Sequence, residues 1–209
     1  GESAIYAVVD AFGAWTPETL DQHSTSLKHI CDVLSGTDTR LFVVGGAGSL
    51  YVNAEHTACV SDGADFPEIF KPLATAMAKA LGELRERNDV KWTYISPAGD
   101  FQADGERTGK YILAGEELTL NAKGESIISY ADYAVAMVDE IEKGGHIGQR
   151  ISVVENKKEM IIRADKSKFT AAVHILTCIE VFGGEMRVTS DFLSGSTGVN
   201  AVIVRNVLG

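Results

Sequence analysis

The sequence contains no apolar run of about 18 residues, so it predicts no membrane-spanning helix. It holds only three cysteines, Cys31, Cys59 and Cys178, an odd number at wide spacings. That pattern argues against a disulfide framework or a zinc site, and it favours a reducing, cytoplasmic location. No two histidines have the spacing of metal ligands, so no metal site is predicted.

Basic residues are also scarce, since 19 Lys and Arg stand against 29 Asp and Glu and give a formal net charge of −10. A protein that binds nucleic acid displaces phosphate counterions with a basic surface, and this sequence has no basic stripe. The first residues, GESAIYAVVDAF, lack the basic segment and cleavage pattern of a secretory signal. The sequence therefore predicts neither nucleic acid nor a membrane as a partner.

What the sequence does contain is an alternation of short β-branched strands and helix-length amphipathic segments. The predicted strands are 4–12, 40–45, 91–97 and 150–155, followed by 159–164, 185–190 and 200–207. The predicted helices run from Thr16 to Gly36, from Phe66 to Arg87, from Ser129 to Glu142 and from Lys168 to Phe182. This order is typical of an α/β domain with a parallel sheet covered by helices on both faces. A single domain, residues 1–209, is expected at this length.

Residues 99–128 break the alternation. They carry five glycines and two short strand-like pieces, YILA and LTLN. The segment predicts a loop and hairpin inserted at the end of a strand, where such insertions commonly cover a ligand crevice.

The stretch RLFVVGGAGSLYV, residues 40–52, carries a strand directly into three glycines. A dinucleotide-binding turn needs a helix immediately after its glycines, because the free N–H groups of the first helical turn meet the phosphates. Here the next helix signal comes only at Asp65-Phe66-Pro67. The prediction is that this stretch is not a phosphate-binding loop.

Five segments occur in a specific order, namely VVDAFGAW, RLFVVGGAGSL, DFPEIFKPLATAMAKALGELR, VKWTYISPAGDFQADGERTGKYIL and ISYADYAVAMVDEIE. Together they resemble the NAD(P)-binding atypical short-chain dehydrogenase/reductase family, in particular its NADH-flavin reductases and, more loosely, the flavin/biliverdin-IXβ reductases. The resemblance covers residues 4–155 and implies the second half of a Rossmann-like doubly wound sheet. It implies NAD or NADP as the cofactor and a small molecule, such as FMN or a quinone, as the substrate. A monomer and a homodimer both stay open.

The first half of that fold is expected in the C-terminal segment. Residues 156–209 read strand–helix–Gly–strand and are similar to the family's opening βαβ unit, so the sequence predicts a circularly permuted fold. An unrelated tail is the alternative. The turn 163–169 would then replace the family's glycine-rich turn, and its lack of glycine would obstruct a pyrophosphate. Asp191 would end the second strand, where an acid suits a ribose diol.

The resemblance also implies cofactor contacts after three strands. Ala11, Phe12 and Gly13 would line the adenosine and ribose side, and Ser96, Pro97 and Ala98 would lie beside the nicotinamide carboxamide. Gly45 and Gly46 would let the cofactor approach the backbone. The alternative is an ordinary chain reversal at residues 11–13 and a tight turn at the two glycines.

On the substrate side, the resemblance implies Ser49 as the catalytic hydroxyl. Gly48, His56 and Arg107 are candidates for substrate contact, with a tight turn or a solvated loop as the alternative. His23 and His29 are interpreted as surface groups on a helix.

The short-chain dehydrogenases deliver a proton with a Tyr-x-x-x-Lys pair. The corresponding helix here begins Phe70-Lys71-Pro72-Leu73-Ala74 and has no such pair. Direct hydride transfer to a flavin- or quinone-like acceptor needs little acid–base help and is the favoured reaction. A non-catalytic NAD(P)-binding sensor, or a rearranged scaffold with an impaired cofactor site, is the alternative.

Overall fold

The computed structural model describes residues 6–156 of the chain. The predictions made beyond residue 156 lie outside the described residues. They include Asp191, the turn 163–169 and the assignment of 156–209 as the first βαβ unit, so the circular permutation stays a prediction.

Four neighbouring strands of the sheet are parallel: β1 (Ala7–Asp10), β2 (Arg40–Val44), β3 (Lys91–Ser96) and β7 (Gln149–Glu155). A fifth strand, β5 (Tyr111–Ala114), pairs antiparallel with β7, which gives the order β1-β2-β3-β7-β5. The four strands predicted from β-branched runs are confirmed. Because they are parallel, their carboxyl ends meet at one edge of the sheet, where ligands bind in open α/β folds.

Three helices cover the sheet: α1 (Gln22–Leu34), α2 (Lys71–Arg85) and α3 (Tyr130–Lys143). On one face, Leu41 and Val43 of β2 join a core with α1 and α2. On the other face, Phe42 joins a core with α3. Alternate residues of one strand therefore serve opposite faces, which confirms the predicted Rossmann-like α/β sheet with helices on both faces. None of the helices between residues 6 and 156 is long and apolar enough to cross a bilayer.

The start of α3 confirms the capping signal of the sequence. The Ser129 hydroxyl accepts a hydrogen bond from the Asp132 amide at 3.0 Å, as a serine N-cap does. Gly144, with φ 64°, ends the helix in the left-handed region that glycine adopts without strain.

The other two helices start later than predicted. Thr16 to Leu20 forms turns, because the Thr19 amide and hydroxyl both donate to the Thr16 carbonyl, and α1 begins only at Gln22. Likewise a 3-10 turn at Glu68–Phe70 precedes α2. The bond from the Thr19 hydroxyl to the backbone holds the segment before α1 in a local turn, which competes with the helix.

The hairpin predicted at 99–128 is wrong. YILA forms β5, which pairs with the open edge of β7. LTLN forms no strand, and the Leu118 amide instead donates to the Tyr51 carbonyl in the loop after β2. The ends of the insertion, β4 (Asp100–Gln102) and β6 (Ile127–Ser129), form a separate two-stranded parallel sheet.

Within the described residues β1 is an edge strand, and large apolar side chains around it are exposed. Tyr6 is 81% exposed, and Val9 and Trp15 are also largely in solvent. Exposed apolar side chains beside an unpaired strand edge are commonly covered by another strand, a helix or a loop.

The turn after β2 depends on one glycine. A Cβ atom on Gly45 would overlap the ring of Tyr94, which is buried in the core beneath it. The Tyr94 hydroxyl accepts a hydrogen bond from the Gly46 amide at 3.3 Å. The Tyr94 side chain therefore contacts the turn twice, through its ring at Gly45 and through its hydroxyl at Gly46.

We predict that Gly45→Ala destabilises the protein by about 2 kcal/mol, because overpacking forces the buried ring or the strand end to move. Urea unfolding followed by circular dichroism measures the change. Gly82→Ala is the matched control, since Gly82 lies in α2 with open space around its Cβ position. The control is expected to stabilise the protein slightly, because alanine favours the helix. Equal stability of Gly45→Ala and the parent would contradict the packing argument.

Candidate functional site

The carboxyl edge of the sheet brings together the three loops that carry most of the predicted site. The Gly45 amide donates to the Ile95 carbonyl at 2.8 Å, which joins the end of β2 to the end of β3. The Phe12 amide donates to the Asp10 carboxylate at 3.0 Å at the end of β1. The loops 11–13, 45–49 and 96–98 therefore lie along one edge.

The glycine stretch after β2 is not followed by a helix. The Leu50 amide donates to the Ala47 carbonyl at 3.0 Å and closes a turn. Bonds from Ser61 to Gly48 and from Val60 to Leu50 then tie this turn to the next loop. The first helical residues are the short 3-10 segment Val60–Asp62. The structure confirms that this stretch does not open a helix as a phosphate-binding turn would.

The glycines of the turn face protein atoms. A Cβ atom on Gly46 would lie 3.1 Å from the Met77 sulfur, and one on Gly48 would lie 3.0 Å from the Ala74 Cβ. Both neighbours belong to α2. These glycines thus allow α2 to pack closely against the turn, whatever ligand approaches from the other side.

A narrow cleft opens at the edge between the ends of β1 and β2 and the helices α1 and α2. The residues that line it include Asp10, Phe12, His23, Met77 and Tyr94. The interpretation of His23 as a surface group is wrong: its side chain is buried, and its Nε2 atom lies 2.9 Å from the Ala14 carbonyl oxygen. This contact joins the segment before α1 to the second residue of the helix, since α1 begins at Gln22.

Ser49 and Ser96 are brought together by a residue that the sequence did not single out. The guanidinium of Arg150, on β7, donates to the Ser49 hydroxyl at 3.2 Å and to the Ser96 hydroxyl at 3.3 Å. It also donates to the Ser49 carbonyl at 3.0 Å. The Arg150 side chain is only 1% exposed. The predicted catalytic hydroxyl and the predicted nicotinamide segment therefore share one buried cation.

The charge of Arg150 is balanced by Glu116, in the loop after β5. Arg150 Nε donates to a Glu116 carboxylate oxygen at 2.7 Å, and Arg85 of α2 donates to both carboxylate oxygens. Burial by itself would raise the pKa of Glu116. The two guanidinium groups outweigh that effect and hold the pKa below its ordinary value.

The substrate-side candidates His56 and Arg107 occupy separate parts of the edge. His56 stacks on Tyr51 with ring centroids 4.3 Å apart, and its Nε2 atom lies 3.1 Å from a Glu117 carboxylate oxygen. Its φ of 54° is unusual for a residue other than glycine. Arg107 is exposed in the loop beside the first turn of α3, where Thr108 donates to Asp132. The structure does not bring these two side chains together.

A signal for Arg150 was present in the sequence. RISVVE is an apolar strand with one arginine near its start, and a charged side chain is almost never buried in a strand unless it is paired. The pattern gives no indication of the partners, because Ser49 is 101 residues away along the chain.

Known proteins resemble this chain over 71% to 72% of its length. YwnB of Bacillus subtilis, a protein of uncharacterised function, is 41% identical over 149 residues, which are 71% of this chain and 70% of YwnB. A solved structure from Streptococcus pneumoniae, proposed to be an NADH-flavin reductase, is 57% identical with a TM-score of 0.70 and 72% of each chain covered. No protein-family model matches the chain.

A second solved structure, from Burkholderia pseudomallei and proposed to be an exported protein, is 34% identical with a TM-score of 0.64. The match covers 72% of this chain and 71% of that one. The sheet and helices described above are therefore shared with several proteins of clearly related sequence.

We predict that Glu116→Gln lowers the free energy of unfolding by about 2 kcal/mol at pH 7, since charge-assisted hydrogen bonds are lost. The pKa of Glu116 is lowered in the folded state. Its contribution is therefore present above the unfolded-chain pKa of about 4.3 and is lost as pH falls through the lower folded-state value. The difference between parent and variant should shrink below about pH 4.

Denaturant unfolding at several pH values measures this difference. Glu83→Gln is the matched control, because Glu83 forms an exposed pair with Lys79 on α2. Its effect should stay within about 0.5 kcal/mol. A Glu116→Gln difference that grows as the pH is lowered would contradict the assigned pairing.

Proposed function

This chain belongs to the NAD(P)-binding atypical short-chain dehydrogenase/reductase-like family, and on that premise we propose that it is an NAD(P)H-dependent oxidoreductase. Its proposed substrate is a flavin- or quinone-like small molecule that accepts hydride. The protein from Streptococcus pneumoniae that is proposed to be an NADH-flavin reductase shares 57% identity with it, which supports this choice of acceptor.

The observation that carries the proposal is the convergence of three strand ends at one edge of a parallel sheet. The loops after β1, β2 and β3 lie side by side there, and Arg150 links the second loop to the third. A crevice at the carboxyl ends of such strands is where this kind of fold binds its ligands.

Within that crevice each loop has a proposed role. Ala11, Phe12 and Gly13 contact the adenosine and ribose side of the cofactor, and Ser96, Pro97 and Ala98 contact the nicotinamide. The turn at Gly45 and Gly46 forms the floor between them. When bound, the reduced nicotinamide supplies the hydride. Ser49 is the proposed catalytic hydroxyl, and Gly48, His56 and Arg107 are proposed to contact the acceptor.

The described residues fit the nicotinamide half of the cofactor better than its pyrophosphate. Residues 11–21 separate β1 from α1, and residues 45–70 separate β2 from α2. Neither connection is a short glycine turn that leads a strand into a helix, which is what a pyrophosphate requires. The oxygen of Ser152, by contrast, is buried near Ser96 and has no hydrogen-bond partner between residues 6 and 156. It is a buried polar group that the described residues leave without a partner close to the proposed nicotinamide segment.

The proposed acceptor class is supported by the two buried tyrosines near this edge, Tyr94 and Tyr133, which are poor proton donors. Burial raises the pKa of Tyr94 and of Tyr133, and the Tyr133 hydroxyl already donates to the Ile95 carbonyl. Neither tyrosine is therefore a ready proton donor. A flavin or quinone ring takes hydride without a strong enzyme acid, whereas an isolated carbonyl benefits from one. We also propose a cytoplasmic location, because a reducing compartment keeps an odd number of cysteines in the thiol form. The proposed oligomeric state is a monomer or a homodimer.

We predict saturable binding of NADH or NADPH, detected by quenching of the fluorescence of Trp15 and Trp92. Oxidation of the bound cofactor should then follow on addition of FMN or a small quinone, measured as loss of NAD(P)H absorbance. Parallel titrations decide between NAD and NADP.

Ser49→Ala should lower kcat roughly tenfold, which is the effect of losing one hydrogen bond to a developing charge. Ser26→Ala, on α1, is the control with a hydroxyl far from the edge. Absence of cofactor binding at millimolar concentration would refute the proposal. Binding without turnover of any flavin or quinone would favour the non-catalytic sensor instead.

A further inference from the structure

We propose that Arg150 is a positioning residue of this site, which holds Ser49 so that its hydroxyl donates a hydrogen bond to the bound acceptor. The inference rests on the proposed function, because it assigns Ser49 a role toward the molecule that receives hydride. It also identifies the Ser49 hydroxyl as the group of this chain that hydrogen-bonds to the acceptor.

The contacts of Arg150 leave its guanidinium fully engaged. Arginine has five N–H donors and no acceptor. Nε donates to the Glu116 carboxylate, Nη1 donates to the hydroxyls of Ser49 and Ser96, and Nη2 donates to the carbonyls of Ser49 and Glu116. The group is therefore held in one orientation by three segments of the chain.

This arrangement fixes the polarity of the Ser49 hydroxyl. Because a guanidinium can only donate, the Ser49 oxygen must be the acceptor of that bond, and its own proton is directed elsewhere. No acceptor between residues 6 and 156 takes that proton, and Ser49 is partly exposed. A hydroxyl that accepts from a cation is also a stronger donor, since hydrogen bonds in a chain polarise one another.

The same guanidinium fixes the position of the loop. Its bond to the Ser49 carbonyl anchors the backbone at 3.0 Å, and the Tyr51 amide donates to the Glu116 carbonyl at 3.0 Å just beyond it. At the other end of the turn, the Gly46 amide is held by the Tyr94 hydroxyl. The hydroxyl of Ser49 thus lies on a turn that is tied down on both sides.

A donor of this kind suits an acceptor that gains negative charge on a ring oxygen or nitrogen. Hydride transfer to a quinone or to an isoalloxazine ring places charge on such an atom, and a donor that is already oriented stabilises it without reorganisation. The geometry therefore favours conjugated ring acceptors over substrates that require full protonation by the enzyme.

A double-mutant cycle tests this role. The parent, Arg150→Lys, Ser49→Ala and the double variant are compared for kcat and KM in NAD(P)H oxidation with FMN or a small quinone. Lysine keeps the charge, but its single ammonium cannot span Ser49, Ser96 and Glu116. Each single change should lower kcat roughly tenfold with a smaller change in KM, and the double variant should be no slower than Ser49→Ala.

Two further variants separate positioning from simple stability. Arg40→Lys is the matched control, because Arg40 is a half-buried arginine at the opposite edge of the sheet, bonded to Thr93. It should leave kcat unchanged. Glu116→Gln removes the carboxylate that orients the guanidinium, so it should lower stability and also lower kcat by about threefold, less than Arg150→Lys does. It also serves if Arg150→Lys does not fold. Independent, multiplicative effects of Arg150→Lys and Ser49→Ala, or an unchanged kcat in Glu116→Gln, would overturn the proposal.

Hydrogen exchange of the amides at 46–52, measured without cofactor, distinguishes failure of this proposal from failure of the proposed function. Arg150→Lys should speed that exchange by about tenfold, whereas Arg40→Lys should not, since only the former loosens the turn. If the parent protein oxidises no NAD(P)H, the proposed function fails and the exchange still tests the anchoring. Unchanged exchange in Arg150→Lys would refute the anchoring itself.

Discussion

The buried guanidinium of Arg150 is the interaction on which the carboxyl edge of this molecule depends. It lies inside a parallel sheet, where a lone charge would be very costly, and it is stabilised only because Glu116 and four further hydrogen bonds surround it. Those partners come from the loop after β2, the end of β3 and the loop after β5. Their relative positions are therefore coupled, and loss of any one partner leaves the others incompletely satisfied.

The fold could be predicted from local patterns, because each strand and helix is encoded in a contiguous stretch. The β-branched runs at 40–45 and 91–97 and the serine cap of α3 predicted their elements correctly. The start of α1 was placed too early, since Thr16-Pro17 is as good a signal for a turn as for a helix. YILA was assigned to a hairpin because the open edge of β7, its true partner, lies 40 residues further along the chain in a different element.

The site was only partly predictable for a related reason. The strand-end loops were recognisable by position in the chain, and the serines within them by resemblance. Arg150 and Glu116 were missed, because their importance arises from contacts between distant segments. The role of the glycines at 45–48 also needed the structure, which shows Tyr94, Met77 and Ala74 filling the space beside them. The match covers 70% of YwnB and 72% of the Streptococcus pneumoniae protein, so both relatives extend beyond the region shared with this chain.

The long separation between Arg150 and Ser49, 101 residues, bears on the order in which the molecule folds. Contacts between distant segments close large loops, and the entropy of that closure must be met before the contact stabilises anything. The paired parallel strands are closer together along the chain than Arg150 is to Ser49, whereas the guanidinium needs β2, β3, β5 and β7 all in place. Its bonds should therefore form after the folding transition state. Weakening them would then speed unfolding and leave the refolding rate almost unchanged.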